Sequence, residues 1–302
     1  MANGRSIELV VDEDDIRLDL HIARRVPELS RTQAHRLISE GRVNVNGILA
    51  KPSLKVFTGD SIVVNVPAAD TSSLAPEAIP VRIVYEDEDV LVVDKPAGMT
   101  VHPAPGHPTH TLVNAVLSHL PELPETGDRL RPGVVHRLDK DTSGLIIIAK
   151  NARAHLTLSE QFRRRSVGKT YLALVEGKLE PSDGVIEAPI GRDRSHRERM
   201  AVVDEEHGRA ARTGYHVVRF VRGYSLLEVK PETGRTHQIR VHLAAVGHPV
   251  AGDRVYGAKA SAFPRQFLHA HRLAFNLPSD GRRVEFESPL PADLVEALEG
   301  PG

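Results

Sequence analysis

The sequence predicts an α+β protein, in which a small N-terminal α/β module precedes a larger domain with a mainly antiparallel mixed sheet flanked by helices. Three observations support this prediction. Segments with strand patterning are mixed with only a few segments of helical spacing. Two strands late in the chain are close enough to form a hairpin. Residues 67–80, which are rich in Pro, Ala and Ser and have little periodicity, predict a linker between the two parts.

The expected segments are an acidic N-terminal stretch at 1–15, the module at 16–66, the linker at 67–80 and the larger domain at 81–298. In the module, apolar residues at helical spacing predict a first helix over 16–26. A second helix is expected to begin at Ser30, where Gln33 completes a capping box, and to end near Gly41. The string "VNVNG" then alternates as a strand into an Asn-Gly turn, and "GDSIVVNV" predicts another strand.

The larger domain opens with two predicted strands around an acidic turn and then a predicted helix over 110–120. A buried strand follows in "GLIIIAK", then a helix with a basic end over 152–166 and a strand in "KTYLALVEG". Two further strands are expected to form a hairpin that turns at Arg222-Gly223. Residues 235–247 predict a helix that Gly247 ends, with Pro249 beyond it.

Composition and charge restrict the possible functions. The chain has no Cys, which excludes thiol nucleophiles, disulfides and thiolate metal sites. Its net charge of −1 is unevenly spread, because residues 16–65 carry eight Lys and Arg against four Asp and Glu. Such a basic module is typical of proteins that bind a phosphate backbone. The acids at 12–15 are expected to belong to a tail that can move away from these cations. With no apolar signal region and no apolar run near membrane length, we expect a soluble cytoplasmic protein without a membrane partner.

The string "HRLDKDTSGL", residues 136–145, places five ionisable side chains just before the apolar run "IIIAK". A charged turn that caps a strand would explain them, and so would a carboxylate held by cations at the edge of a cleft. Other motifs are excluded by spacing: "VGKT" lacks the earlier glycine of a P-loop, and "HRLD" has no kinase partners. The 16 His residues show no metal-ligand spacing with a carboxylate. Asp139 and Asp141 would make a glycosidase pair only if a turn brought them together.

Several segments, taken together, resemble one family. The module has the element order of an S4 RNA-binding domain. The strings "VVDKPAGMTVHP", "HRLDKDTSGL", "YLALVEG", "ETGRTHQIRVHLAAVGHPVAGDRVYG" and "LHAHRLAF" resemble the pseudouridine synthases of large-subunit ribosomal RNA. These segments occur in the expected order over about residues 16–295. The chain is therefore identified as similar to the S4-bearing members of this RluA family, and most of all to its D-type enzymes.

The resemblance implies both an activity and the residues that perform it. The family's catalytic carboxylate corresponds to Asp139, its pocket tyrosine to Tyr171 and the basic partner of the carboxylate to Arg240. Arg137 corresponds to an arginine that helps to hold the opened RNA. The reaction breaks the N1–C1′ bond of uridine and rejoins the base through C5, so no metal and no cofactor are expected. In the S4 module, the cations expected to contact RNA are Arg24, Arg25, Arg31, Arg36 and Arg42.

The expected partner is ribosomal RNA or the pre-ribosomal large subunit, bound by a monomer, although a tRNA substrate is not excluded. The same sequence fits an RNA-binding ribosome-assembly factor with an inactive synthase domain, but intact Asp139, Tyr171 and Arg240 argue against that alternative. A glycosidase would not explain the basic module. Whether Asp139 attacks C1′ or removes a proton from C2′ stays open at this level, as does the identity of the modified uridines.

Overall fold

The computed structural model describes residues 5–26, 29, 31–51, 53–66, 74–104, 106–123, 130–196, 199–257 and 263–299. The chain divides into two compact units, Met1–Ser72 and Ser73–Gly302. Part of the predicted linker, residues 67–73, lies outside the described residues, as does the predicted helix start at Ser30.

The N-terminal unit contains a four-stranded antiparallel sheet and two short helices. Its elements are β1 (Arg5–Val10), β2 (Ile16–Arg17), α1 (Leu18–Arg25), α2 (Arg31–Ser39), β3 (Val43–Val45), β4 (Ile48–Leu49), β5 (Lys55–Val56) and β6 (Ser61–Val66). The sheet order is β1-β6-β3-β4, and β2 pairs with β5. Apolar residues of both helices and of the sheet, among them Leu18, Ile22, Val43 and Ile62, form one fully buried core.

The structure confirms the two helices, the strand β3 with its Asn-Gly turn and the strand β6. It corrects two expectations. The first helix begins at Leu18, two residues later than expected, because Ile16 pairs with Val56 across the β2–β5 ladder. The N-terminal segment is not a separate tail: β1 pairs antiparallel with β6 from Arg5 to Val10.

The C-terminal unit is built on a nine-stranded sheet. Its elements are β7 (Arg82–Glu86), β8 (Val90–Lys95), α3 (Leu112–His119), β9 (Ser143–Ala149), α4 (Ala152–Arg163), β10 (Gly168–Glu176), β11 (Asp183–Glu187), β12 (Ile190–Arg192), β13 (Met200–Val202), β14 (Arg212–Val221), β15 (Tyr224–Pro231), α5 (Gln238–Ala245), β16 (Leu268–Asn276), β17 (Arg283–Glu287) and α6 (Ala292–Glu299). The sheet order is β11-β14-β15-β10-β16-β9-β8-β7, with β17 also paired to β16. Only the β9–β16 pair among these described strands is parallel, so the predicted largely antiparallel α+β fold is confirmed.

Both faces of the centre of this sheet are covered. Alternate residues of β8 and β9 contribute to two separate cores, one of which includes residues of α3 and α5, and the other residues of α4. All seven residues of β9 are buried. Burial on both faces explains why the sequence of β9 is a continuous apolar run rather than an alternating one.

The start of β9 lies unusually close to β16. An added Cβ at Gly144 would stand 2.3 Å from the carbonyl oxygen of Ala270, and Gly144 has a φ of +111°. Only glycine allows this approach and this backbone conformation. The approach fixes the position of the polar loop that precedes β9, where the conspicuous charged string lies.

Candidate active site

The loop before β9 holds Asp139 at the edge of the sheet. Leu138 is buried, and the backbone N–H of Thr142 donates to the carbonyl oxygen of Asp139 at 3.1 Å, which closes a tight turn. The side chain of Asp139 keeps 17% of its surface exposed. The loop therefore presents a carboxylate from a backbone that is fixed on both sides.

Lys95 holds the loop that contains Asp139 in place through hydrogen bonds to backbone carbonyl oxygens. It is fully buried at the end of β8, and its Nζ donates to the carbonyl oxygens of Pro96, Met99 and Lys140 at 2.7, 2.8 and 3.0 Å. Burial lowers the pKa of Lys95 to about 7, although the negative charges of Asp141 and Asp139 oppose this shift. Three acceptors need three hydrogens, which only the protonated amine carries. Lys95 therefore ties the residue next to Asp139 to the neighbouring loop.

Arg240 joins two carboxylates. From α5, its Nη1 donates to Asp139 Oδ2 at 2.9 Å, while Nε and Nη2 donate to Asp253 at 2.6 and 2.9 Å. Asp253 is 1% exposed and also accepts from the backbone N–H groups of Val255 and Tyr256. Burial opposes the charge of Arg240, but the hydrogen bonds and charges of the two acids raise its pKa overall. Because Asp253 occupies one side of the guanidinium, Asp139 receives a single hydrogen bond, and its Oδ1 accepts none from the described residues.

Tyr256 and His237 complete the surroundings of Arg240. The guanidinium carbon lies 5.0 Å from the ring centroid of Tyr256, within the range of a cation–π contact. The hydroxyl of Tyr256 is 2.7 Å from Nδ1 of His237, whose Nε2 lies 3.9 Å from Asp139 Oδ2. Burial lowers the pKa of His237, although the charge of Asp139 opposes this. At neutral pH the ring is therefore neutral, and Arg240 is the cation that faces Asp139.

Tyr171 lies on β10 and belongs both to a core cluster and to the lining of a cavity. The cavity has a volume of about 570 Å³ and is also lined by Asp139, Arg240 and Arg137. Burial and the charge of Asp139 raise the pKa of Tyr171, which therefore remains a neutral phenol. Tyr171 is therefore both a core aromatic residue and part of the cavity lining. The structure thus brings together the four residues that the sequence placed in the larger domain.

Arg137 is exposed at this cavity, and its guanidinium has no ion pair with the described residues. The preceding His136 is held differently. Its Nε2 accepts the backbone N–H of Ile147 at 2.9 Å, and its ring stacks on Phe162 at a centroid distance of 4.7 Å. Burial, together with the charge of Lys169, lowers the pKa of His136 to about 3. Within one string, His136 is therefore a neutral structural residue and Arg137 an available cation.

The predicted RNA-binding cations of the N-terminal unit are all paired with acids of the same unit. The pairs are Arg24–Glu13, Arg25–Asp12, Arg31–Asp19, Arg36–Glu40 and Arg42–Glu40. The acids at 12 and 13 therefore contact the basic surface, which contradicts the expectation of a tail that moves away from it. Except for Asp19, the partners in these pairs are substantially exposed, so the pairs are weak and can exchange.

Sequence reasoning missed Asp253, Tyr256, Lys95 and His237 as parts of the site. The first two lie within "GDRVYG" and Lys95 within "VVDKPAG", strings that carry the family resemblance, but the strings alone give them no roles. In the parts of the chain that the structure describes, no three His, Asp or Glu side chains are grouped closely enough to bind a metal. The described helices include none with the length and apolarity needed to cross a membrane.

Comparisons with known proteins find similar sequences and a similar structure. The family model for RNA pseudouridylate synthases matches residues 89–245, and the model for S4 domains matches residues 16–62. An uncharacterized RNA pseudouridine synthase of Bacillus subtilis is 45% identical, with 94% of this chain and 93% of that one covered. Ribosomal large subunit pseudouridine synthase D of Nitrosomonas europaea is 44% identical, with coverage of 98% and 88%. The structure of human RNA pseudouridylate synthase domain containing 1 is similar with a TM-score of 0.59 and 31% identity, covering 71% of this chain and 85% of that one.

Proposed function

Because the chain belongs to the RNA pseudouridylate synthase family and carries an S4 domain, we propose that it converts specific uridines of large-subunit (23S) ribosomal RNA to pseudouridine. That it is an RNA pseudouridine synthase follows from the family. The choice of substrate is supported by relatives named ribosomal large subunit pseudouridine synthase D, which are 42–44% identical over most of their length. The observation that carries the catalytic proposal is the Asp139–Arg240 ion pair on the wall of a cavity that Tyr171 also lines.

The reaction is an isomerisation. The N1–C1′ bond of uridine breaks, the uracil turns, and a C5–C1′ bond forms, while the C5 proton is lost and N1 gains a proton. No electrons leave the system and no water is added. The protein therefore has to supply a carboxylate at the sugar, hold the detached base and exclude solvent.

Asp139 is the proposed catalytic carboxylate. Attack on C1′ and removal of the C2′ proton both require an ionised oxygen that faces the sugar. Arg240 donates to Oδ2 and holds the carboxylate in place, while Oδ1 is left without a hydrogen bond from the described residues. We assign the reacting position to Oδ1 and the orienting role to Arg240.

Tyr171 is proposed to stack against the uracil and keep it in the cavity during the turn. A neutral phenol ring offers a flat apolar surface without adding charge near the leaving base. Stacking on an aromatic ring tolerates rotation of the base in its own plane, whereas directional hydrogen bonds would oppose it. The arrangement suits a reaction in which the same base is bonded to C1′ of the sugar first through N1 and then through C5.

The target nucleotide must leave its stack to enter a cavity of about 570 Å³. Arg137, a cation without a protein partner among the described residues, is proposed to hold the RNA opened in this way. Arg24, Arg25, Arg31, Arg36 and Arg42 are proposed to contact RNA phosphates when their present acidic partners are exchanged. The ion pairs of Arg240 with Asp139 and Asp253 form within one chain, which supports action as a monomer.

The decisive experiment maps pseudouridines in ribosomal RNA from cells with the gene, without it, and with a copy that carries Asp139→Asn. We expect defined sites in 23S RNA to lose pseudouridine without the gene and to stay unmodified with the Asn variant. An unchanged pseudouridine map would refute the proposed substrate. Restoration by the Asn variant would instead remove Asp139 from its catalytic role.

A further inference from the structure

The cavity has a second wall that the proposed chemistry does not use. It is formed by the end of α4 and the start of β10, and it contains Phe162, Arg163, Arg165 and Lys169. Lys169 precedes Tyr171 by two residues on β10. A β-bulge between Thr170 and Tyr171 shifts the register with β16 at this point. Lys169 therefore lines the same cavity as the tyrosine but belongs to its cationic side.

The ammonium group of Lys169 is poorly satisfied by the protein. Its one hydrogen bond among the described residues goes to the carbonyl oxygen of Thr233 at 3.5 Å, the outer limit for such a bond. No described carboxylate lies within 4 Å of it. Lys95 provides an internal comparison, because that buried lysine donates to three carbonyl oxygens at 3.0 Å or less. The described residues thus provide a close hydrogen-bond acceptor for each of the three ammonium hydrogens of Lys95, but not for those of Lys169.

Neither acid of the cavity lining pairs with Lys169, and each has an arginine partner instead. Asp139 binds Arg240, and Glu232 pairs with Arg212. The nearby His136 is no acceptor either, since its Nε2 is occupied by Ile147 and the proton of its neutral ring is on Nδ1. Burial lowers the pKa of Lys169 to about 8, which records the cost of holding this charge without an acid.

We propose that Lys169 binds a phosphodiester oxygen of the RNA strand next to the nucleotide in the cavity. The assignment rests on the proposed function, because it takes RNA as the substrate. A compact ammonium suits a single phosphate oxygen, and the wall around it contains further cations, of which Arg165 has no ion pair with the described residues. The RNA phosphate supplies Lys169 with the negative charge that no described side chain of the protein provides.

The test measures binding of the full-length protein to an unmodified transcript of large-subunit ribosomal RNA over a series of salt concentrations. Lys169→Met should weaken binding about tenfold or more and reduce the log–log salt slope by about 0.7, the loss of one single-strand phosphate contact. Lys169→Arg should restore most of both. The matched control is Arg164→Met, which removes one charge from the same end of α4 but outside the cavity lining. It should change affinity less than about threefold.

Thermal unfolding supplies an independent readout. A lysine that serves the ligand rather than the fold is not needed for stability, so Lys169→Met should melt no lower than the parent protein. Lys95→Met should melt lower, because three buried carbonyl oxygens lose their donor. Equal binding losses in Lys169→Met and Arg164→Met, or an unchanged salt slope in Lys169→Met, would overturn the phosphate assignment. Release of tritium from C5-labelled uridine by the unsubstituted protein tests the proposed function separately, so the two can fail independently.

Discussion

Replacing Asp253 by Asn should slow catalysis, although Asp253 is buried behind Arg240 and is not expected to contact the substrate. Asp253 accepts two hydrogen bonds from the guanidinium of Arg240 and is 1% exposed. Asn keeps the shape and one acceptor oxygen, but it turns an N–H group toward the guanidinium and loses the charge. The loss of one charge-assisted hydrogen bond is worth about 2–3 kcal/mol. In a unit of this size that corresponds to a fall in melting temperature on the order of 5–10 °C.

The larger effect should be on the rate. With one of its two hydrogen bonds to position 253 lost, Arg240 can rotate and bind both oxygens of Asp139, which would occupy the oxygen that we assign to the reaction. A displacement of about 1 Å in such a site costs on the order of a hundredfold in rate. We therefore expect kcat for tritium release from C5-labelled uridine in RNA to fall by about that factor, with KM for RNA nearly unchanged. The assay should be run well below the melting temperature of the variant.

A double-mutant cycle isolates the mechanism. If Asp253 acts through Arg240, Asp253→Asn should add little to the loss already caused by Arg240→Met. A variant that unfolds earlier but turns over within about threefold of the parent would show that Asp253 serves stability alone. A loss confined to KM would show that the pair acts in RNA binding and not in orienting Asp139.

Three further predictions concern other parts of the chain. Asp139→Asn should abolish tritium release while RNA affinity, measured by filter binding, stays within about threefold of the parent, since one carboxylate becomes a neutral isostere. Gly144→Ala should destabilise the C-terminal unit, because the new Cβ would meet the carbonyl oxygen of Ala270 at 2.3 Å; a melting curve like that of the parent would contradict this close approach. His21→Leu should raise the melting temperature of the N-terminal unit, since both ring nitrogens of this fully buried His21 lack hydrogen bonds within the described residues. Burial lowers the pKa of His21 below its ordinary value, so the unfolded chain binds the proton more readily and stability is lost as the pH falls through about 6.5. Circular dichroism melts between pH 5 and 8 should show this loss in the parent and less of it in His21→Leu.

Much of the fold was accessible from local patterns. The strand β9 shows as an unbroken apolar run, and the hairpin of β14 and β15 turns at the predicted Arg222-Gly223, because in both cases burial or turn geometry leaves its mark on consecutive residues. The strand β1 carries a weaker mark. Only Ile7 and Leu9, on either side of Glu8, alternate as a strand would, and both are partly buried against the core of the N-terminal unit. The pairing with β6, which the sequence does not show, completes the strand. The acids that follow it were therefore mistaken for a tail.

The residues of the candidate site also form two groups: those that the sequence identifies and those that only the structure identifies. Asp139, Arg240 and Tyr171 were identified because family strings carry them, but the role of Asp253 depends on a hydrogen bond to a residue 13 positions away. A sequence shows which residues are present and not which side of a guanidinium is occupied. The role proposed for Lys169 depends on the structure even more, because it rests on the absence of an acidic partner among the described residues. A sequence does not show such an absence.

The ion pairs of the N-terminal unit have a consequence for how RNA is found. Arg24 and Arg25 each have an acid of their own, whereas Arg36 and Arg42 share Glu40, and Arg17 and Arg31 share Asp19. The one-to-one pairs present dipoles, whose field is largely cancelled beyond a Debye length of about 8 Å, but each shared acid balances only one of the two positive charges that it binds. The shared clusters should thus be the part of these ion pairs that attracts a polyanion from a distance. Arg24 and Arg25 should act instead on the lifetime of the complex, after phosphates have come close enough to compete for them.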